Sequence, residues 1–157
     1  MGTDVTGDSE GCPSGVYLID AAERERILRH DAFPSEFAVA VLDGNEAATR
    51  TGFFEEIDRA LRFPDYFGRN WDAVYDCLTD LSWLPAAGYV LVVDGFDHLA
   101  KNEPGQWDIG LKVLRDACGF WRPLSRPMYA LLCGSDELAP GVPRLPSACL
   151  SSWRDAS

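Results

Sequence analysis

The sequence has few basic residues, few histidines and no long apolar run. Its 157 residues include 14 Lys and Arg against 25 Asp and Glu, for a formal net charge of −11, and only two histidines, His30 and His98. Such a negative field repels nucleic-acid phosphates and anionic membranes and attracts basic proteins. We therefore expect neither nucleic acid nor a membrane among the partners of this chain.

The sequence also lacks the common motifs for nucleotide and zinc chemistry. It contains no G-x-x-x-x-G-K-S/T, no G-x-G-x-x-G after an apolar strand and no H-E-x-x-H. His30 lies in a charged segment typical of a solvated surface. Asp94, Asp97 and His98 could be imagined as metal ligands, but ordinary turn residues after a strand explain them better. The prediction is a protein without enzymatic activity, cofactor or metal.

The cysteines are odd in number, five in all, and none has the spacing C-x-x-C. Cys77, Cys118 and Cys133 lie in apolar segments, where a reduced thiol behaves as a small hydrophobe. Together with Cys12 and Cys149 they are interpreted as structural thiols in a reducing compartment. The first fifteen residues contain no Lys or Arg for a secretory signal, and no segment reaches the about 18 apolar residues of a membrane span. These features predict a cytoplasmic protein.

Three continuous apolar runs, at residues 37–43, 89–94 and 128–133, predict strands that are buried on both faces. A shorter run at residues 16–20 could form one further strand. Because helical patterns separate these runs, right-handed parallel crossovers are expected. The predicted fold class is α/β, with a small three-stranded parallel sheet that is packed with helices and could be extended by an N-terminal strand.

Four segments carry the helical patterns. The first is the charged segment 21–30, and the second follows Thr51 and is closed by Pro64. The third begins at Trp71 after Asn70, a plausible N-cap, and the fourth covers residues 107–121.

The composition divides the chain into four parts. Residues 1–15 are rich in Gly, Ser and Asp and are predicted to be a disordered tail, and residues 16–36 form an extension. Residues 37–134 contain the predicted domain. Three prolines, Pro140, Pro143 and Pro146, predict an irregular tail over residues 135–157.

The stretch FPDYFGRNWDAVYDCLTDL, residues 63–81, contains an unusual spacing of carboxylates. Asp72, Asp76 and Asp80 recur every four residues, which on a helix stacks them in one column. One interpretation is a solvated helix face, with Asp72 favoured by the helix dipole and paired with Arg69. Another is a pair of catalytic carboxylates, as in glycoside hydrolysis, which nothing else in the sequence supports.

A third interpretation is a protein-binding face. Tyr66, Trp71 and Tyr75 interleave with the aspartates and Thr79, and exposed aromatic side chains beside charges that can be desolvated are typical of interface hot spots. The inner face of the helix would be formed by Val74, Cys77, Leu78 and Leu81.

Residues 63–81 resemble the signature of the barstar family, the intracellular inhibitors of barnase-type ribonucleases. The shared residues are Pro64, Tyr66, Gly68, Asn70, Asp72, Ala73, Asp76, Cys77, Leu78 and Thr79. The similarity continues in AVAVLDG at 38–44, YVLVVDGF from residue 89, VLRDA at 113–117 and MYALLC at 128–133. It covers residues 37–134.

The resemblance implies that the loop and helix fill a ribonuclease active site, with carboxylates where substrate phosphates would lie. Asp76 would be the main phosphate mimic, and Asp72 would meet basic groups at the rim. Tyr66 would stack against a catalytic histidine, and Tyr75 and Thr79 would line the contact.

Other positions match the family less closely. Asp116 falls where the family has a glutamate that makes another charge pair; an intrahelical pair with Lys112 is the alternative. Gly68 would allow close backbone approach, or is simply a turn glycine. Asn70, Trp71 and Asp80 complete the predicted contact set, and Asp80 stands where the family prototype has glycine.

The partner expected from the resemblance is a secreted guanyl-specific microbial ribonuclease other than barnase itself. The alternative is a barstar-like module that binds another basic protein, such as a different toxin or a regulator.

Overall fold

Four apolar segments form one parallel sheet in the computed structural model, which describes residues 12–29 and 32–155. Its strands are β1 (Gly15–Ile19), β2 (Phe37–Asp43), β3 (Gly88–Asp94) and β4 (Met128–Cys133), in the spatial order β1-β4-β3-β2. The three strands predicted from apolar runs are confirmed as strands, but burial on both faces is wrong for β2, which lies at the sheet edge with Phe37, Val39 and Val41 only half-buried. The sheet has a fourth strand because β1 pairs with the edge of β4, from Gly15 opposite Tyr129 to Ile19 opposite Cys133.

Six α-helices lie in the described residues. They are α1 (Ala21–Leu28), α2 (Arg50–Leu61), α3 (Trp71–Leu78), α4 (Asp97–Asn102), α5 (Pro104–Trp121) and α6 (Ser147–Asp155). The sequence patterns predicted α1, α2, α3 and α5 and missed α4 and α6. The segment that contains Asp97 and His98 was expected to be a loop and is instead the start of α4.

The sheet has a hydrophobic core on each face. On one face, Leu91, Val93 and Leu132 belong to the same cluster as buried residues of α2, α3 and α5. On the other face, Val92 and Leu131 belong to a second cluster that includes residues of α1 and α6. Because β3 and β4 are central strands with apolar residues on both faces, their sequences read as continuous apolar runs.

The C-terminal segment is more regular than expected. Residues 135–157 were predicted to be irregular, but they contain a 3-10 turn at Asp136–Leu138 and the helix α6. Pro146 directly precedes the first residue of α6, where proline is compatible with a helix. Trp153 anchors α6, since its ring lies 4.6 Å from that of Phe33 and 4.7 Å from that of Tyr129.

The described part of the N-terminal segment is also ordered against the sheet. The Tyr129 hydroxyl donates to the Cys12 carbonyl at 2.6 Å, and the Met128 amide donates to the Ser14 hydroxyl at 2.9 Å. The prediction of a disordered tail is therefore wrong for residues 12–15, because β4 supplies partners that its sequence does not reveal. Residues 1–11 and His30 lie outside the described residues.

Cys12 and Cys149 form a disulfide that joins the two terminal segments, and both residues are buried. The interpretation of all five cysteines as reduced thiols is therefore wrong for this pair. The pairing has no local signature, since 137 positions separate the two residues. Cys77 and Cys118 are buried free thiols, and burial raises the pKa of Cys77 to about 11 and that of Cys118 to about 12.

No helix within residues 12–29 and 32–155 is long and apolar enough to cross a membrane.

We predict that the paired substitution Cys12→Ala/Cys149→Ala lowers the free energy of unfolding by about 2–5 kcal/mol, because the disulfide restricts the unfolded chain over a very long loop. Urea denaturation followed by circular dichroism measures this change. Cys133→Ala is the matched control at a half-buried free thiol and should have a smaller effect. Equal urea midpoints for the double variant and the wild type would contradict the prediction.

Candidate partner-binding site

The helix α3 begins with a capped turn. The Asn70 side-chain oxygen accepts a hydrogen bond from the Ala73 amide at 2.7 Å, and Asn70 itself has an extended backbone. The predicted N-cap is thus confirmed. Asp72 lies in the first turn, where the positive end of the helix dipole favours a carboxylate.

The left-handed residue of the loop before α3 is not its glycine. Gly68 does not have a positive φ, and an added Cβ would make only ordinary contacts, at 3.4 Å or more. The left-handed position is instead Arg69, with φ of 54°. Its guanidinium lies 3.3 Å from a carboxylate oxygen of Asp58, so the predicted pairing of Arg69 with Asp72 is wrong.

The helix α3 ends before the third aspartate of the predicted column. Asp72 and Asp76 are exposed on its outer face, while Val74, Cys77 and Leu78 are buried as predicted. Thr79 follows the helix as the C-cap, and its hydroxyl donates to the Tyr75 carbonyl at 2.9 Å.

The chain then turns at Leu81, which has φ of 53° and is buried. Asp80 therefore lies outside the helix, and the column contains two carboxylates and not three.

Asp80 supports the most exposed aromatic residue of the loop. The Tyr66 side chain is 67% exposed, and its hydroxyl donates to a carboxylate oxygen of Asp80 at 3.2 Å. Desolvation and the hydrogen bond to Asp80 raise the pKa of Tyr66 above its ordinary value. Asp80 thus orients Tyr66, a role that the sequence pattern did not indicate.

Trp71 is buried, in contrast to the exposed aromatic side chain that was predicted. Its indole packs against the rings of Phe53 and Phe54 at centroid distances of 5.2 and 4.9 Å. Its Nε1 donates to the Gln106 side chain at 2.8 Å. Gly110 on α5 leaves room for the ring, since a Cβ there would lie 2.8 Å from Trp71 Cη2. Trp71 is therefore the residue that fixes α3 against α5.

A groove of about 380 Å³ lies between α3 and α5 beside this anchor. Its lining residues are Trp71, Asp72, Tyr75, Asp76, Ile109, Lys112, Val113 and Asp116. The structure thus brings Asp116 to the same groove as Asp72 and Asp76. Tyr66, Gly68, Asn70, Thr79 and Asp80 are not among its lining residues.

The carboxylates of the groove differ in their pairing. The carboxylates of Asp72 and Asp76 make no ion pair and no hydrogen bond with any residue in the described ranges, although the Asp76 backbone carbonyl accepts from the Thr79 hydroxyl. Asp116 accepts from the Lys112 ammonium at 2.6 Å, and this hydrogen bond raises the pKa of Lys112. The intrahelical pair considered for Asp116 is therefore present, and the pair lies within the groove.

The apolar part of the groove was not predicted from the sequence. Ile109 and Val113 lie one helical turn apart on α5, and Ile109 is among the large hydrophobic residues that are exposed. In the sequence, the helical spacing of Ile109, Val113 and Asp116 indicates only that they share one face of α5. This face becomes the wall of a groove because α3 lies alongside it.

The aspartates near His98 have structural partners. Asp97 accepts hydrogen bonds from the amide and hydroxyl of Ser135 at 2.7 and 2.8 Å. Asp94 forms an ion pair with Arg24 at 2.9 Å. Across the described ranges, no group of His, Cys, Asp and Glu residues is placed to hold a metal ion.

Residues 37–133, which include the sheet strands β2 to β4 and the groove, match the protein family described as "Barstar (barnase inhibitor)". The chain belongs to the barstar family. The resemblance predicted from residues 63–81 is thereby confirmed, and β1, α1 and α6 lie outside the matched range.

A curated relative from Bacillus subtilis (strain 168) is named "Putative ribonuclease inhibitor YrdF". It is 37% identical to this chain over 77 residues, which cover 49% of this chain and 81% of the relative. The description of the family and the name of this relative both refer to inhibitors.

We predict that Gly110→Ala destabilises the protein, although alanine has the higher helix propensity, because the new Cβ would collide with Trp71. The expected loss of unfolding free energy is about 1–3 kcal/mol. Gly119→Ala is the matched control on the same helix, since its Cβ would meet nothing within 4 Å. Thermal denaturation should show a lower midpoint for Gly110→Ala only, and equal shifts for both variants would contradict the role of Trp71.

We also predict that Asp80→Asn lowers the pKa of Tyr66 towards its ordinary value, because the neutral amide no longer disfavours the phenolate. The pKa can be followed by nuclear magnetic resonance of the tyrosine ring carbons, with Tyr66→Phe to assign the signal. Asp116→Asn is the control, since it removes a carboxylate that is not bonded to Tyr66. An unchanged pKa in Asp80→Asn would refute the contact.

Proposed function

We propose that this protein inhibits a secreted guanyl-specific microbial ribonuclease by filling its active site with α3 and the loop before it. The observation that carries the proposal is the pair of exposed carboxylates, Asp72 and Asp76, which lack partners in the described residues of a barstar-family chain. The name of the Bacillus relative is consistent with this function.

The chemistry of the partner explains why unpaired carboxylates are useful. A ribonuclease cleft contains cationic side chains that bind phosphate, and an arginine can bind a carboxylate through two parallel hydrogen bonds. Asp76 would take the place of a substrate phosphate, and Asp72 would meet basic groups at the rim. Loss of one partner of such a desolvated charge pair typically costs about 2–5 kcal/mol.

The aromatic residues supply the apolar part of the proposed contact. Tyr66 projects from the loop with its hydroxyl held by Asp80, so its ring needs little ordering when it stacks on a partner. Tyr75 is half-buried at the edge of the groove, and Thr79 follows at the helix end. Trp71 would contribute by positioning α3 and not through direct contact.

The charge of the whole chain would speed the encounter. A net charge of −11 attracts a basic ribonuclease over a distance that salt shortens, so the association rate should fall as ionic strength rises.

The compartment of the proposed encounter is the cytoplasm, where an inhibitor would protect the RNA of the producing cell before the ribonuclease is exported. A disulfide is unusual there, so the state of Cys12 and Cys149 in cells is a direct check. Because both residues are buried, the cells are quenched in acid and the thiols are alkylated after denaturation; alkylation of both would support a cytoplasmic encounter. A fully oxidised pair would favour an encounter outside the cytoplasm.

Inhibition of RNA cleavage tests the proposal. The purified chain is mixed at equimolar ratio with each member of a panel of guanyl-specific microbial ribonucleases, and RNA cleavage is followed. We expect strong inhibition of at least one enzyme and loss of most of it with Asp76→Ala, because the cationic cleft would lose its main anion. Lys101→Ala and Glu137→Ala are controls for charge at exposed positions outside the groove and should inhibit like the wild type.

A second candidate is binding to a basic protein that is not a ribonuclease. The position of Lys112 in the groove favours this second candidate, because Lys112 neutralises Asp116, one of the carboxylates that a ribonuclease cleft would use. Undiminished RNA cleavage across the whole panel would support this candidate and overturn the first. Equal inhibition by Asp76→Ala and the wild type would also overturn the proposed contact.

A further inference from the structure

The site contains one cation whose place the family resemblance does not explain. Lys112 Nζ lies 2.6 Å from the carboxylate of Asp116 on the same helix, and both side chains line the groove with Asp72 and Asp76. Their side chains are 75% and 49% exposed, so both can reach a partner that covers the groove.

The pair is poorly explained as a device for helix stability. A lysine four residues before an acidic residue is the weaker order for an intrahelical pair, and exposed ion pairs contribute little because water and salt screen them. The position of the pair is more informative, since it determines which charges a partner meets at the α5 side of the groove.

The groove therefore has two different walls. The α3 wall offers Asp72 and Asp76 without cationic partners among the described residues. The α5 wall offers Asp116 already neutralised by Lys112. A cationic partner side chain gains two free carboxylates at the first wall, whereas at the second it must displace an ammonium group that repels it.

We propose that Lys112 is a specificity-determining residue, which withdraws Asp116 from the partner and selects ribonucleases that present a hydrogen-bond acceptor there instead of a cation. This inference rests on the proposed function. Like charges placed face to face at an interface disfavour the wrong partner, so one lysine can discriminate among ribonucleases that bind Asp76 equally well.

A double-mutant cycle tests the masking of Asp116. The dissociation constant for barnase is measured by calorimetry for the wild type, Lys112→Gln, Asp116→Asn and the double variant. These substitutions remove charge and largely keep side-chain shape.

The charge pair that the family's glutamate makes at the position of Asp116 implies that barnase presents a cation there, so we expect Lys112→Gln to tighten binding to barnase about three- to fivefold, the effect of one rim charge. Asp116→Asn should change binding less than about twofold beside Lys112, but weaken it about three- to fivefold in the Lys112→Gln background. An equal factor for Asp116→Asn in both backgrounds, or weaker binding by Lys112→Gln, would overturn the inference.

Asp76→Ala in the same assay separates this inference from the proposed function. If the wild type binds barnase and Asp76→Ala does not, the cycle reports on Lys112 alone. If neither binds, the proposed contact fails for barnase, and the cycle is repeated with a tetra-arginine peptide at low salt, followed by nuclear magnetic resonance shifts of the groove residues. Tighter peptide binding by Lys112→Gln that Asp116→Asn reverses supports the masking, and equal binding by all four proteins overturns it.

Discussion

The groove depends on the packing of one indole between two helices. Trp71 is the first residue of α3, and its ring contacts Phe53 and Phe54 of α2 while its edge lies against Gly110 of α5. Its hydrogen bond to Gln106 fixes the ring in its own plane. Because α3 has only eight residues, this single anchor sets the direction in which its outer carboxylates point. The polar site is thus positioned by an apolar contact beneath it.

The terminal segments stabilise the opposite face of the same sheet. β1 adds a strand beside β4, and α6 covers the face that α2, α3 and α5 leave open. The Cys12–Cys149 disulfide closes this layer by joining the segments on either side of the family domain. Since Tyr129 of β4 contacts both Cys12 and Trp153, the two additions meet on one strand and form one structural unit.

The features predicted correctly from sequence are those that local chemistry determines. The strands at 37–43 and 128–133 are apolar runs, the first at the sheet edge and the second buried in its centre, and Asn70 caps α3 by a bond within its own turn. The missed features depend on distant partners. Trp71 is buried because Gly110 on α5 leaves room for its ring. The helix α3 ends before Asp80, and the chain then turns through a left-handed backbone at Leu81, where no glycine marks the turn in the sequence.

The long-range electrostatic field of the protein and the charges that a bound partner can contact are separate properties. The excess of acidic residues acts on any basic protein at long range, whatever the fold. Outside the groove, Asp80 is bonded to Tyr66, and inside it Asp116 is bonded to Lys112, whereas the carboxylates of Asp72 and Asp76 have no such partner among the described residues. Of the three carboxylates that line the groove, the intrahelical pair with Lys112 therefore leaves two, Asp72 and Asp76, available to a partner. Selectivity follows from which carboxylates are available, since all of them contribute to the attraction but few can form a direct pair with a partner.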